Sequence, residues 1–147
     1  MTAFDVLYHV VDETKFSRAI TNIGRLCRPG GFLLIHDVFL SSAEENHGYI
    51  RWRALSTYMR ELRRAGFEIR QRLPIFYFMI QAIDLHRGGL MSNVHQRVWD
   101  LLRRVIDRTP DRAGRMLYTL DALLLYGSRD GPSMELLVCE KQQTNNQ

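Results

Sequence analysis

The chain has 147 residues, 46% hydrophobic and 24% charged, which excludes a disordered or low-complexity polymer and fits one globular domain or part of one. Its net charge of +4 comes from 18 arginines against 2 lysines, scattered except for the pairs Arg63-Arg64 and Arg103-Arg104. Scattered arginines without interleaved aromatic residues read as solvated helix faces, so no nucleic-acid partner is expected.

Residues 3–12, Ala-Phe-Asp-Val-Leu-Tyr-His-Val-Val-Asp, read as a strand or as a strand end followed by a turn. Phe16, Ala19, Ile20, Ile23 and Leu26 then recur at helical spacing. Pro29-Gly30-Gly31 combines a helix stop with a tight turn. Phe32 to Val38 is almost continuously apolar, as expected of a strand covered on both faces, and its polar end is His36-Asp37. Residues 40–53 are polar and read as irregular. Leu55, Tyr58, Met59, Leu62 and Ala65 predict a second helix, capped by Gly66, and Phe67 to Leu73 a strand. Residues 75–90 are ambiguous between strand and helix. Helices are predicted over about Asn93–Asp107 and Asp111–Leu125, then a turn over Gly127–Pro132, a last strand over Met134–Glu140, and a polar, frayed tail over 142–147.

Cys27 and Cys139 sit in apolar settings, with no CxxC or Cys/His cluster to suggest a metal site. Buried free thiols fit a reducing, cytoplasmic setting. No signal peptide is evident, and the longest apolar stretch, Leu73 to Ile83, is interrupted by Gln81 and too short for a bilayer, so no membrane is expected. The order strand end, helix, strand, helix, strand, helical pair, strand predicts an α/β fold, an incomplete doubly wound, Rossmann-like sheet with helices on both faces and a helical insertion before the last strand. In such sheets ligands bind outside the carboxyl ends of the parallel strands.

Several segments together carry a family resemblance. They are Asp5-Val6-Leu7-Tyr8-His9-Val10-Val11-Asp12, then Leu26-Cys27-Arg28-Pro29-Gly30-Gly31 with the strand that follows. Ala65-Gly66-Phe67-Glu68-Ile69 and Met134-Glu135-Leu136-Leu137-Val138 complete the set. In this order the chain resembles the C-terminal half of a class I S-adenosylmethionine-dependent methyltransferase. In that family the first segment follows the fourth strand, Pro-Gly-Gly precedes the fifth, Ala-Gly-Phe precedes the sixth, and the seventh runs antiparallel between the fifth and sixth. The resemblance implies a partial methyltransferase domain over 1–141, with the N-terminal cofactor-binding strands, the glycine-rich turn and the ribose-binding acid lying outside this sequence. It implies S-adenosyl-L-methionine as cofactor and a small molecule as methyl acceptor, with full cofactor binding not expected of this chain alone. The alternative is a non-enzymatic remnant or a partner-binding half, pairing with a missing N-terminal half or forming a homodimer.

The resemblance also points to residues. His9 falls in the loop that faces cofactor and acceptor, and with His36 and Asp37 at the end of the next strand it is a catalytic candidate. Phe4 and Asp5 are cofactor-binding candidates. Tyr49, Arg51 and Arg53 are candidates for an acceptor-binding lid. A general base is needed only when the acceptor must lose a proton. Adjacent strand residues point to opposite faces, so His36 and Asp37 line one pocket only if the strand ends between them.

Overall fold

The computed structural model describes residues 1–41, 43–76, 89–127 and 134–143. The described elements are β1 (Thr2–Phe4), a 3-10 turn (Leu7–His9), α1 (Glu13–Leu26), β2 (Phe32–Leu40), β3 (Glu45–Asn46) and β4 (Arg51–Ala54). They continue with α2 (Leu55–Arg64), β5 (Phe67–Pro74), α3 (Gly89–Arg108), α4 (Pro110–Gly127) and β6 (Met134–Lys141). The chain forms two compact units, Met1–Arg72 with Leu136–Gln147, and Leu73–Glu135.

In the first unit, Asp12 opens α1 by accepting the Lys15 N–H at 2.8 Å, which satisfies one of the helix's free donors. Phe16, Ile20 and Gly24 follow at intervals of four and form the buried stripe of α1. Gly24 is there because α2 comes close: an added Cβ would lie 2.7 Å from the Ala65 carbonyl oxygen. The chain then turns at Gly30, whose φ of 72° suits glycine, into β2.

β2 alternates across the sheet. Leu33, Ile35 and Phe39 enter one apolar core with Phe16 and Ile20 of α1 and Tyr58 and Leu62 of α2. The sheet has the order β3-β4-β2-β6-β5, with β1 also pairing β2. β1 lies parallel to β2, with Thr2 opposite Leu34 and Phe4 opposite His36. Further along the same strand, Phe39 and Leu40 pair in parallel with Arg53 and Ala54 of β4. Gly30 N–H donates to the Lys141 carbonyl and Lys141 N–H to the Gly31 carbonyl, both at 2.8 Å, so β6 ends where β2 begins. Gln142 N–H to Gly66 O (2.9 Å) and Ile75 N–H to Met134 O (3.2 Å) likewise set β6 antiparallel to β5. The last strand is therefore reversed between two strands that share one direction. This is a mixed α/β sheet of the doubly wound kind, with a helical pair ahead of its last strand.

In the second unit, Pro110 occupies the first position of α4, where its missing N–H costs nothing. α4 buries Ala113, Leu117 and Asp121. Among the described residues, no helix is long and apolar enough to cross a membrane.

Two expectations are corrected. Residues 40–53 are not wholly irregular: they hold β3 and β4, because Arg51–Ala54 finds a partner in the far half of β2. For the same reason β2 does not end at His36-Asp37 but runs on to Leu40. The ambiguous segment and the turn before β6 lie outside the described residues over 77–88 and 128–133, and so does the tail over 144–147.

Candidate functional site

β1 stops at Phe4, level with His36, and the chain bends away at Asp5. This bend is at the carboxyl end of β1, beside the continuing strand β2. Asp5 takes φ 54°, a left-handed value that residues other than glycine seldom adopt, although Asp and Asn tolerate it. Its N–H donates to the His36 carbonyl at 3.2 Å. Its carboxylate Oδ1 lies 3.0 Å from His36 Nδ1. His36 Nε2, on the far side of the ring, is buried and has no hydrogen-bond partner among the described residues. Phe4 meets the imidazole edge-on at 6.1 Å between centroids and is about half exposed, at 49%. Burial, and then the carboxylates of Asp5 and Asp37, push the Tyr8 hydroxyl above its ordinary range.

Because β2 continues past them, His36 and Asp37 face opposite sides of the sheet. Asp37 turns into the core and is fully buried. Its Oδ1 accepts the Val38 N–H at 2.7 Å and its Oδ2 accepts the Tyr58 hydroxyl at 2.5 Å. Burial lifts the Asp37 carboxyl to about 7, against the pull of those two donors and of Arg53, with Asp5 adding to the rise. Tyr58 is raised well above its ordinary range by the same burial and by the adjacent Asp37. Edge-on rings of Phe16 (5.2 Å) and Phe39 (4.8 Å) hold Tyr58 in place.

The expected lid divides. Tyr49 is 75% exposed, and its carbonyl lies 3.5 Å from His9 Nδ1, so these two candidates do come together. Arg51 is tied down: Nη2 donates to Glu44 at 2.9 Å, and Nε lies 3.2 Å from Glu13, an ion pair without hydrogen-bond alignment. Glu44 also accepts the Thr57 hydroxyl at 2.6 Å. Burial works against them, yet these donors hold the Glu44 carboxyl below its ordinary range. Arg53 is no lid at all, since its side chain is fully buried. It donates to Glu13 from Nε (3.0 Å) and Nη2 (2.8 Å), to the Val10 carbonyl (2.5 Å) and to the Leu7 carbonyl (3.4 Å). Its guanidinium stacks 3.9 Å above the Phe16 ring. A buried, multiply bonded arginine here makes β4 the clamp on the turn that carries Tyr8 and His9.

Sequence reasoning therefore missed Tyr8, Tyr58 and the Arg53–Glu13 clamp. Tyr8 lies inside the segment that carried the resemblance. Nothing local in the sequence marks Arg53 as buried, because buried arginines are rare. A groove of about 450 Å³, bordered by Met59, Arg63, Phe67 and Gln142, lies at the amino end of β5 and is lined by neither Asp5 nor His36. No group of three or more metal-ligating side chains occurs among the described residues.

No protein-family model matches the sequence, and no curated protein does. Among solved structures the chain is similar to the O-methyltransferase from a trans-AT PKS multienzyme of Brevibacillus brevis, in complex with S-adenosyl-L-homocysteine. That match has a TM-score of 0.53 at 13% identity and covers 96% of this chain and 43% of that one. Phosphoethanolamine N-methyltransferase 2 of Haemonchus contortus, with S-adenosyl-L-methionine, gives a TM-score of 0.45 at 16% identity, covering 97% and 33%. The 4+2 cyclase SpnF gives 0.45 at 19%, covering 96% and 48%. The chain thus spans less than half the length of each of these structures. At such identities the likeness is one of fold, and the first of the three carries it.

Proposed function

We propose that this chain is the acceptor-side, C-terminal portion (1–141) of a class I methyltransferase domain, working with S-adenosyl-L-methionine on a small-molecule acceptor. The observation that carries the reading is the reversed β6 between β2 and β5, in a sheet whose parallel pairing of β1 with β2 sets Phe4 and Asp5, at the carboxyl end of β1, beside His36 within β2. The same fold in the Brevibacillus brevis O-methyltransferase supports it.

The residues at this edge fit one flank of the cofactor. Phe4 offers a half-exposed ring, and Asp5 an exposed carboxylate. Neither Asp5-Val6 after β1 nor Ser41 after β2 supplies a glycine-rich turn. When bound, S-adenosylmethionine supplies an electrophilic methyl group. This chain's contribution is to orient the partners at the sheet edge, and proximity of that kind contributes on the order of 7–11 kcal/mol to such displacements. His9, with Tyr49 beside it, borders the acceptor side. In this reading Asp37 is a buried support for β2 and α2 and does not touch the reacting atoms.

Ultraviolet crosslinking of isotope-labelled S-adenosylmethionine, followed by peptide mapping, tests the proposal. Label on the first tryptic peptide, 1–15, displaced by S-adenosylhomocysteine, is the expected result. Label confined to peptides of α3 and α4, or label that the homocysteine form does not displace, contradicts it.

A second reading, a partner-binding half without activity of its own, is favoured by one observation. Met1, Phe4, Val6 and Phe32 are each about half exposed near β1, at 49%, 49%, 54% and 52%. Exposed apolar residues beside an unpaired strand edge favour association. A monodisperse monomer that binds no apolar dye would count against this reading.

A further inference from the structure

We propose that the groove between the end of α2 and the start of β5 is a binding site for an aromatic carboxylate, whose anion is held by the Arg63 guanidinium and whose ring lies against Met59 and Ile69. The site is separate from Asp5 and His36, and it stands whether or not the methyl-donor reading does.

Two neighbouring elements of the first unit build the groove. Met59 and Arg63 are four residues apart on α2, so their side chains share one face of the helix. Phe67 and Ile69 are two apart on β5 and share one face of the strand. Gly66, at φ 80°, makes the reversal that sets these two faces side by side. The resulting volume of about 450 Å³ falls within the range of small-ligand sites. Met59 is 42% exposed and Ile69 half-buried, so apolar surface is left open to a ligand.

The charges around the groove select the ligand. Arg60 and Arg64 both donate to Glu61, at 3.1 and 3.0 Å. Glu68 accepts the Gln142 amide at 2.6 Å and pairs with Arg70 at 2.9 Å, which balances its charge. The end of α2 is already satisfied. Ala65 N–H donates to the Glu61 carbonyl and Gly66 N–H to the Arg63 carbonyl, both at 3.0 Å, and Lys141 Nζ donates to the Ala65 carbonyl. Arg63 is thus not needed as a cap, and its exposed side chain has no hydrogen-bond or ion-pair partner among the described residues. It leaves the groove one uncompensated positive charge beside an apolar wall. A guanidinium presents a planar fork that takes a carboxylate at two points. The Met59 thioether favours contact with an aromatic ring. Together they fit an aromatic ring that carries a carboxylate. A zwitterionic amino acid fits poorly, because its ammonium would lie against Arg63, so the amino-acid end of the methyl donor is not the expected occupant.

Titration of 2-naphthoate into the ¹⁵N-labelled chain, followed by amide shifts, tests the site. Shifts should centre on Met59, Arg63, Gly66, Phe67 and Ile69 and saturate with a dissociation constant of about 1 mM or tighter, the strength a ligand of this size supports. 2-Naphthamide keeps the rings and loses the charge; it should bind at least about tenfold more weakly. Arg63→Gln should weaken 2-naphthoate by a similar factor, on the order of tenfold, and Arg63→Lys should recover only part of the loss. Arg25→Gln removes the same charge from the last turn of α1, outside the groove, and should leave the affinity within about twofold. Equal affinity for acid and amide, an equal loss in Arg25→Gln and Arg63→Gln, shifts centred elsewhere, or no binding at all would each overturn the proposal. The comparison of acid with amide uses the unaltered chain, so it decides the matter even if a variant fails to fold.

Discussion

The Arg53 guanidinium serves three partners at once: the Glu13 carboxylate and the Leu7 and Val10 carbonyls. Replacing it with Met leaves those carbonyls without their donor and releases the turn that carries His9. A loss of about 3 kcal/mol is expected, below what a fully buried pair would give because Glu13 is 45% exposed. Arg53→Lys should recover only part of it, since an ammonium cannot reproduce the fork. Urea denaturation of both variants measures this. Asp37 makes a second prediction. Its carboxyl titrates at about 7 in the folded protein, against about 3.9 in an unfolded chain. Between those values the folded state holds a proton that the unfolded chain has released. Stability therefore falls as pH rises through this window and levels off above it, by an amount on the order of 4 kcal/mol. The urea midpoint should be lower at pH 8 than at pH 5, and Asp37→Asn should remove most of that difference. Equal midpoints in the wild type would contradict the placement of Asp37.

At the scale of elements, α1 and α2 approach through Gly24. Alanine there would gain about 1 kcal/mol of helix propensity in isolation. Its Cβ would meet the Ala65 backbone oxygen at 2.7 Å, and backbone cannot swing aside. Gly24→Ala should therefore lower stability by about 1–3 kcal/mol, read as a fall in thermal midpoint; a rise would contradict this packing. Much at this scale was legible beforehand. The stripe Phe16, Ile20 gave α1 its buried face, Pro29-Gly30-Gly31 placed the turn, and the apolar run after it gave β2 its start at Phe32. β4 was not legible, because Arg51-Trp52-Arg53-Ala54 is paired by a distant strand and two of its four residues carry charge. Its pairing is non-local, and so is the burial of Arg53 that follows from it. The end of β2 was misjudged for the same reason: two ionisable residues suggested an edge, while the partner that carries the strand to Leu40 lies 14 residues away in sequence.

At the scale of the whole molecule, the order of segments made the doubly wound sheet readable, while the reversal of the last strand between β2 and β5 was legible only through the family resemblance. The site was only partly readable. Phe4, Asp5 and His36 were each named, but their association depends on the register of β1 against β2, and the bend at Asp5 depends on a backbone angle that no spacing rule reveals. Asp37 was separated from His36 by strand alternation, once β2 proved to continue. In the proposed function, cofactor and acceptor meet at the carboxyl end of β1, beside His36 of β2. The most direct test is to titrate S-adenosylhomocysteine to millimolar concentration into the ¹⁵N-labelled chain and map the backbone amide shifts. The account predicts weak binding with shifts concentrated at Phe4, Asp5, Tyr8 and His36. Shifts centred instead on the groove of Met59, Arg63 and Phe67, or none at any residue, would contradict it.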